Sequence, residues 1–193
     1  IWLDRTQGIG FLSADDAIRL GCSGPTLRGS GVNWDLRKAL PYSGYENFDF
    51  DVPLGQHGDI YDRYLCRVEE MRQSLRIVQQ ALDNLPGGLF RSNNRKYVPP
   101  PRAELGTSME AVIHHFKLWT EGFRPPEGEV YVRVESPRGE LGCFLASDGS
   151  PKPWRVHFRA PSFVHLSALP HMAKGYLIAD LVGIIGTVDI VLG

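Results

Sequence analysis

A chain of 193 residues, 42% hydrophobic and 22% charged, is long enough for one sizeable core and is composed like an ordinary globular protein. Its formal net charge of -1 gives no electrostatic footing for nucleic acid or for an anionic membrane surface. The three cysteines, Cys22, Cys66 and Cys143, lie far apart with no Cys-x-x-Cys, which excludes a disulfide framework and suits reduced thiols in a reducing compartment. No secretory leader is expected at the start, and the chain reads as a fragment of a longer subunit.

In chain order, Ser13 and Asp16 form a capping box for a short helix that stops at Gly21. Residues 21–45, rich in Gly, Pro and Ser, read as a structured loop with one helical turn near 34–38. Phe48, Phe50 and Val52 alternate with Asn47, Asp49 and Asp51, the pattern of a half-buried strand. The strongest helix starts at Asp59 and ends at Pro86-Gly87-Gly88. Its apolar residues (Tyr61, Tyr64, Leu65, Val68, Met71, Leu75, Val78, Leu82) recur at three- and four-residue steps, with Arg63, Arg67, Glu70 and Arg72 mainly off that stripe. A loop with Pro99-Pro100-Pro101 must be extended. Thr107 and Glu110 form a second capping box, for a helix burying Val112, Ile113, Phe116 and Trp119.

Residues 129–160 change period. Val130, Val132 and Val134 alternate with polar residues, Ser147-Asp148-Gly149-Ser150 marks a turn, and Trp154, Val156 and Phe158 alternate again. The reading is a small antiparallel meander whose first turn is Pro137-Arg138-Gly139. A helical region from about 163 to 185 follows, interrupted near Pro170. The fold class is therefore mainly α with a small antiparallel β meander, α+β. One domain is expected over 1–193, with its helical core at about 1–128 and 161–193.

Several patterns lose chemical meaning on inspection. Gly29-Ser30-Gly31 lacks the third glycine of a dinucleotide fingerprint, because Trp34 stands there. His114 and His115 are adjacent, so on a helix they point about 100° apart, and His165 and His171 flank Pro170, so neither pair has the spacing of a helical zinc site. The apolar run 176–192 carries Asp180 and Asp189 and reads as a buried helix, not a membrane span. Two residues keep meaning. Arg138 sits between Pro137 and Gly139, which fix the turn and let it approach another element; it is either solvated or a rigidly held cation able to neutralise Asp189. Asp189, after the apolar run, either caps a helix or lines a pocket where protons are taken up.

Two long stretches give the chain a family resemblance. The segment 183–193 and the segment Glu135-Ser136-Pro137-Arg138-Gly139-Glu140-Leu141-Gly142-Cys143 resemble the large subunit of nickel–iron hydrogenases. That family closes on Asp-Pro-Cys-x-x-Cys; here Asp189 stands, Val191 takes the place of the first cysteine, and this chain stops at Gly193 before the place of the second. The motifs 27–38 (Leu27-Arg28-Gly29-Ser30-Gly31 through Lys38), 61–74 (Tyr61-Asp62-Arg63-Tyr64-Leu65-Cys66-Arg67 through Ser74), 108–117, 147–150, Ala160-Pro161 and 184–191 resemble, in order, the C-terminal half of the 49-kilodalton, or D, family of NADH:quinone oxidoreductase subunits. The hydrogenase likeness is the distant kinship of that family, and it implies a hydrogenase-like helical core.

The resemblance implies a peripheral-arm subunit of the proton-pumping NADH:quinone oxidoreductase that shapes the quinone-reduction cavity beside the terminal iron–sulfur cluster. It implies no metal or cofactor held by this segment, quinone as substrate, and FMN and iron–sulfur clusters on other subunits. The implied partners are the small Fe–S subunit with the terminal cluster, the 30-kDa-type subunit, other peripheral-arm Fe–S subunits and the quinone-channel membrane subunit. The implied location is a peripheral membrane complex, on the cytoplasmic side of a bacterial inner membrane or the mitochondrial matrix side. Asp189, Val191 and Arg138 are the cavity candidates, and no catalytic residue is assigned because the family's headgroup ligands lie in the other half. Two alternatives compete: a live hydrogenase subunit, and a catalytically silent scaffold of a related ferredoxin- or NADH-linked membrane oxidoreductase.

Overall fold

Local chemistry sets the helix starts. In the computed structural model, which describes residues 1–190, helix α1 (Ala14–Arg19) begins where Ser13 Oγ accepts the Asp16 N–H at 3.1 Å and donates to the Asp16 carboxylate at 2.8 Å. Pro25, whose missing N–H costs nothing in a first turn, starts α2 (Gly24–Arg28), a helix inside the stretch read as loop. Asp35 caps α3 (Leu36–Ala39). Asp59 caps the long α4 (Ile60–Asp83), accepting from the Asp62 N–H at 2.8 Å. Helix α5 (Met109–Thr120) is capped by Ser108, one residue after the expected Thr107.

Strands β1 (Gly128–Ser136), β2 (Gly139–Ser147) and β3 (Arg155–Arg159) pair in the order β1-β2-β3, the expected antiparallel meander. The final region is broken twice, into α6 (Pro161–His165), α7 (Leu169–Ala173) and α8 (Ile178–Val188), with Pro161 and Pro170 in first turns. The architecture is α+β. Among the described residues no helix is long and apolar enough to cross a membrane.

The chain divides into two compact units. The first comprises 1–85, 132–143 and 158–193; the second comprises 86–131 and 144–157. The core of the first unit gathers Leu12, Ala17, Leu27, Ile60, Met172 and Ile184, and α4 packs there against α2 and α8. In the second unit α5 buries Ala111, while Val112, Ile113, Phe116 and Trp119, expected inside, are exposed.

Helix α4 faces the reverse of the ordinary way. Its buried residues are Ile60, Asp62, Arg63 and Cys66, whereas Met71, Leu75, Val78 and Leu82 are exposed. Its polar face is fastened to the rest of the unit. Gln80 Oε1 accepts the Asp49 N–H at 2.9 Å, its Nε2 donates to the Asp49 carbonyl at 2.7 Å, and Gln73 accepts the Asp51 N–H at 3.1 Å. These amide side chains satisfy the backbone of 48–52 as a neighbouring strand would, so the expected strand is an extended segment laid along a helix. Phe50, 2% exposed, is the anchor that the alternation detected.

Candidate functional site at the end of helix 8

The β1–β2 turn is held by close backbone contact. A Cβ on Gly24, at φ +62°, would come 2.5 Å from the Gly139 Cα, and one on Gly139, at φ +141°, would come 2.5 Å from Ser23 Oγ. Only glycine fits at either position. Ser23 Oγ accepts the Glu140 N–H at 3.0 Å, and Ser136 Oγ bridges the turn to the Gly139 carbonyl (2.8 Å) and the Arg138 N–H (3.3 Å). The turn is thereby clamped to the start of α2, and Arg138 leaves it with a defined direction.

That direction ends at Asp189. Arg138 Nε lies 3.6 Å from Asp189 Oδ2, with the two side chains 34% and 38% exposed. Asp189 follows α8 in the left-handed conformation (φ 54°), and its carbonyl accepts from Ser162 Oγ at 3.1 Å. Asp189 thus has both the helix terminus and the arginine contact expected of it, but its carboxylate is half-exposed. Val191 lies outside the described residues.

Three features around Asp189 were not singled out from sequence. Arg67 donates through Nη2 to the Thr187 carbonyl at 2.5 Å, placing a cation at the negative end of the α8 dipole. Burial pushes its proton affinity down, opposed first by the charge of Asp189. Arg63, wholly buried, donates to Thr187 Oγ1 (3.2 Å), the Gly58 carbonyl (3.0 Å) and the Gly10 carbonyl (2.8 Å). Burial, aided by Arg67, lowers it to about 10, still cationic at neutral pH. His165, also fully buried, accepts the Ser23 N–H on Nε2 at 3.1 Å; burial and then the charges of Arg159 and Arg67 push it down to about 4, so it is neutral. No sequence spacing marks these groups. Arg63 and Arg67 fall mainly off the apolar stripe, yet that side of α4 faces inward.

A second arginine cluster is closed. Arg28, 1% exposed, meets Glu70 at 2.7 Å, Glu135 at 2.9 Å and Asp35 at 3.7 Å, and Arg37 Nη2 meets Asp35 at 2.6 Å. Burial raises Glu135, against the pull of Arg28, while Arg37 and Arg28 hold Asp35 low despite its burial. This cluster ties α2, α3 and α4 to β1.

A groove of about 470 Å³ reaches the same end of α8, lined by Trp2, Ile60, Tyr64, Arg67, Gly183 and Thr187. Its wall also carries Arg5, paired with Asp180 at 2.8 Å, so Arg67 is the cation left facing an apolar stretch, a composition suited to a flat apolar ligand with a polar end. A wider groove of about 1030 Å³ lies along Pro53, Gln56, Asp59 and Tyr61, but its carboxylates are already used. Asp59 accepts from the Gly8 and Asp62 N–H groups, and Asp62 from Gln56 and His57. Among the described residues no group of three or more His, Cys, Asp or Glu could hold a metal. Burial lifts the Cys22 and Cys66 thiols to about 11, so neither is a ready thiolate ligand.

The arrangement is thus a corner of cations and apolar wall with, among the described residues, no metal-ligand set. Known proteins share the sequence that builds it. The family model described as respiratory-chain NADH dehydrogenase, 49 Kd subunit, matches residues 1–193. The chain is 62% identical, over its whole length, to the D 1 subunit of the NADH-quinone oxidoreductase of Herpetosiphon aurantiacus, covering 46% of that protein. It is 60% identical to the corresponding D 2 subunit of Chloroflexus aurantiacus (48% of that protein) and 52% identical to the mitochondrial NADH-ubiquinone oxidoreductase 49 kDa subunit of Neurospora crassa (40% of that protein), in each case over 100% of this chain. The chain belongs to the 49 kDa subunit family of the respiratory-chain NADH dehydrogenase. It spans less than half the length of these relatives.

Proposed function

We propose that this chain is part of the peripheral arm of a proton-translocating NADH:quinone oxidoreductase, and that the end of α8 forms one wall of its quinone-reduction cavity. The observation that carries this is the contact of Arg138 with Asp189 at 3.6 Å beside Arg67, which itself also lines the groove along α8. The names of the relatives supply the reaction class: they are NADH-quinone and NADH-ubiquinone oxidoreductase subunits.

Reduction of a quinone to a quinol takes two electrons and two protons. In this proposal the electrons come from an iron–sulfur cluster on the small neighbouring subunit. As electrons arrive, negative charge builds on the quinone oxygens. Arg138 and Arg67 stabilise that charge more than the neutral quinone, which is where catalytic advantage arises. Asp189 holds Arg138 in place before the quinone enters and, half-exposed, exchanges protons with the cavity water. Apolar wall in place of thiolates admits the ring and leaves metals no soft ligand. Val191, where the hydrogenases carry a cysteine, belongs to that wall in this proposal. In this proposal FMN and the iron–sulfur clusters sit on other subunits, and the partners of this chain are the small Fe–S subunit with the terminal cluster, the 30-kDa-type subunit, the other peripheral-arm Fe–S subunits and the quinone-channel membrane subunit. The quinone enters from a membrane subunit, so the complex is peripheral to the bacterial inner membrane or faces the mitochondrial matrix.

The test uses the assembled complex. Asp189→Asn is expected to slow quinone reduction at least tenfold while NADH oxidation by a water-soluble artificial acceptor is unchanged. Quinone turnover equal to the unmodified complex would leave the scaffold reading in its place.

A further inference from the structure

Helix α6 is five residues long, too short to be stable by itself. Two of its side chains, Ser162 and His165, are buried and stand one turn apart, on the same side of the helix. Ser162 Oγ donates to the Asp189 carbonyl at 3.1 Å. His165 Nε2 accepts the Ser23 N–H at 3.1 Å. Ser23 in turn holds the β1–β2 turn, because its Oγ accepts the Glu140 N–H at 3.0 Å. A run of three hydrogen bonds therefore leads from the turn that carries Arg138, through Ser23 and α6, to Asp189. Its two ends are the residues whose charges meet at 3.6 Å.

The surroundings tighten the same connection. Asp189 keeps a left-handed backbone (φ 54°, ψ 57°), which a residue other than glycine holds only where its neighbours fix it, and the Ser162 bond falls on that residue. Because His165 Nε2 is an acceptor, the ring carries its proton on Nδ1. Nδ1 closes no hydrogen bond of full geometry among the described residues, but the carbonyl of Val188, the residue before Asp189, favours a proton on the ring. Arg159, two residues before α6, donates to the Glu140 carbonyl at 2.6 Å and the Gly21 carbonyl at 3.0 Å, so β3 braces the same corner. Neither Ser162 nor His165 lines the groove along α8, so neither touches what enters it.

The geometry points to His165 as a positioning residue for quinone reduction: through Ser23 it sets the turn that aims Arg138, and with Ser162 it sets the end of α8, so that one short helix fixes the separation of the two charges. This inference rests on the reading of that corner as a wall of the quinone cavity. It assigns work to a buried, neutral side chain that neither meets the quinone nor exchanges a proton with it.

The test measures quinone reduction by the assembled complex, normalised to NADH oxidation by a water-soluble artificial acceptor. His165→Leu should lower the kcat for quinone about tenfold. His165→Gln, whose amide oxygen can stand where Nε2 accepts, should restore at least half of the lost rate. A residue that acts through the Arg138–Asp189 pair loses its effect once the pair is gone, whereas general damage to the fold does not. The double variant His165→Leu with Asp189→Asn should therefore be less than about threefold slower than Asp189→Asn alone. A further loss of threefold or more, no recovery in His165→Gln, or unaltered quinone turnover in His165→Leu while Asp189→Asn is slow would overturn the inference and leave the cavity reading standing. Full turnover in Asp189→Asn would remove the cavity reading and this inference with it. If His165→Leu does not assemble, Ser23→Ala, which keeps the backbone N–H and drops only the bond to Glu140, takes its place in the same pairing with Asp189→Asn, judged by the same threefold limit.

Discussion

Arg28 and Arg138 both face carboxylates, but the two settings are opposites. Around Arg28 and Arg37, two cations meet three carboxylates in a region that excludes water. Around the end of α8, Arg63 and Arg67 bind Thr187 and Arg138 meets Asp189, so cations outnumber the one carboxylate. The first is closed, its charges engaged with one another, a device that fixes α2, α3, α4 and β1 in register. The second is half-open and keeps a surplus of positive charge. Arg63 and Arg67 tie the Thr187, Gly58 and Gly10 carbonyls together, and in the proposed function the surplus charge also serves an incoming acceptor of electrons.

The comparison can be broken by substitution, beginning with the closed cluster. Arg28→Met should cost about 3–5 kcal/mol, because Glu70, Glu135 and Asp35 would stay buried without their cation. Denaturant unfolding of the full-length subunit measures it; a loss below about 1 kcal/mol would mean that the cluster is dispensable. His165 gives the next largest effect. Its folded value of about 4 lies below the ordinary value of 6.5, so the unfolded chain binds the extra proton between them. Its stability contribution is complete above pH 6.5 and is lost as the pH falls toward 4, up to about 3 kcal/mol. In His165→Gln the slope of unfolding free energy against pH should flatten over that window.

Gly24→Ala tests the clamp that aims Arg138. Its Cβ would strike the Gly139 backbone, which cannot yield as a flexible side chain would, so a loss of about 1–3 kcal/mol is expected together with slower quinone turnover. Arg138→Gln should do the reverse of Arg28→Met. Its ion pair is long and about a third exposed, so stability should change by less than about 1 kcal/mol, while quinone reduction falls about tenfold. Loss of fold without loss of specific turnover at Arg138 would erase the distinction between the two regions.

Much of this fold is readable in the sequence where a local rule settles the matter. Ser13 and Asp59 cap helices because their side chains reach their own backbone, and the meander follows from period-two alternation around Pro137-Arg138-Gly139. What escapes is whatever depends on a distant partner. The Phe48–Val52 pattern reports burial of Phe50 truthfully, but whether a strand or Gln73 and Gln80 satisfy the backbone is decided some twenty to thirty residues away. The stripe on α4 and the apolar residues of α5 show that these faces want burial, not what buries them. At the site, Arg138 and Asp189 were legible because a rigid turn and a charge after an apolar run are local anomalies. Arg63, Arg67 and His165 were not, since each gains its meaning from carbonyls and amides contributed by other elements.

The central claim is that the end of α8 borders the place where quinone is reduced. A photoreactive quinone analogue, activated in the intact complex and followed by peptide mapping, tests it most directly. Label on the peptide containing residues 184–193, competed away by excess quinone and reduced in Arg138→Gln, is the predicted result. Label confined to other subunits, or on this subunit only at sites that excess quinone leaves unchanged, would contradict it.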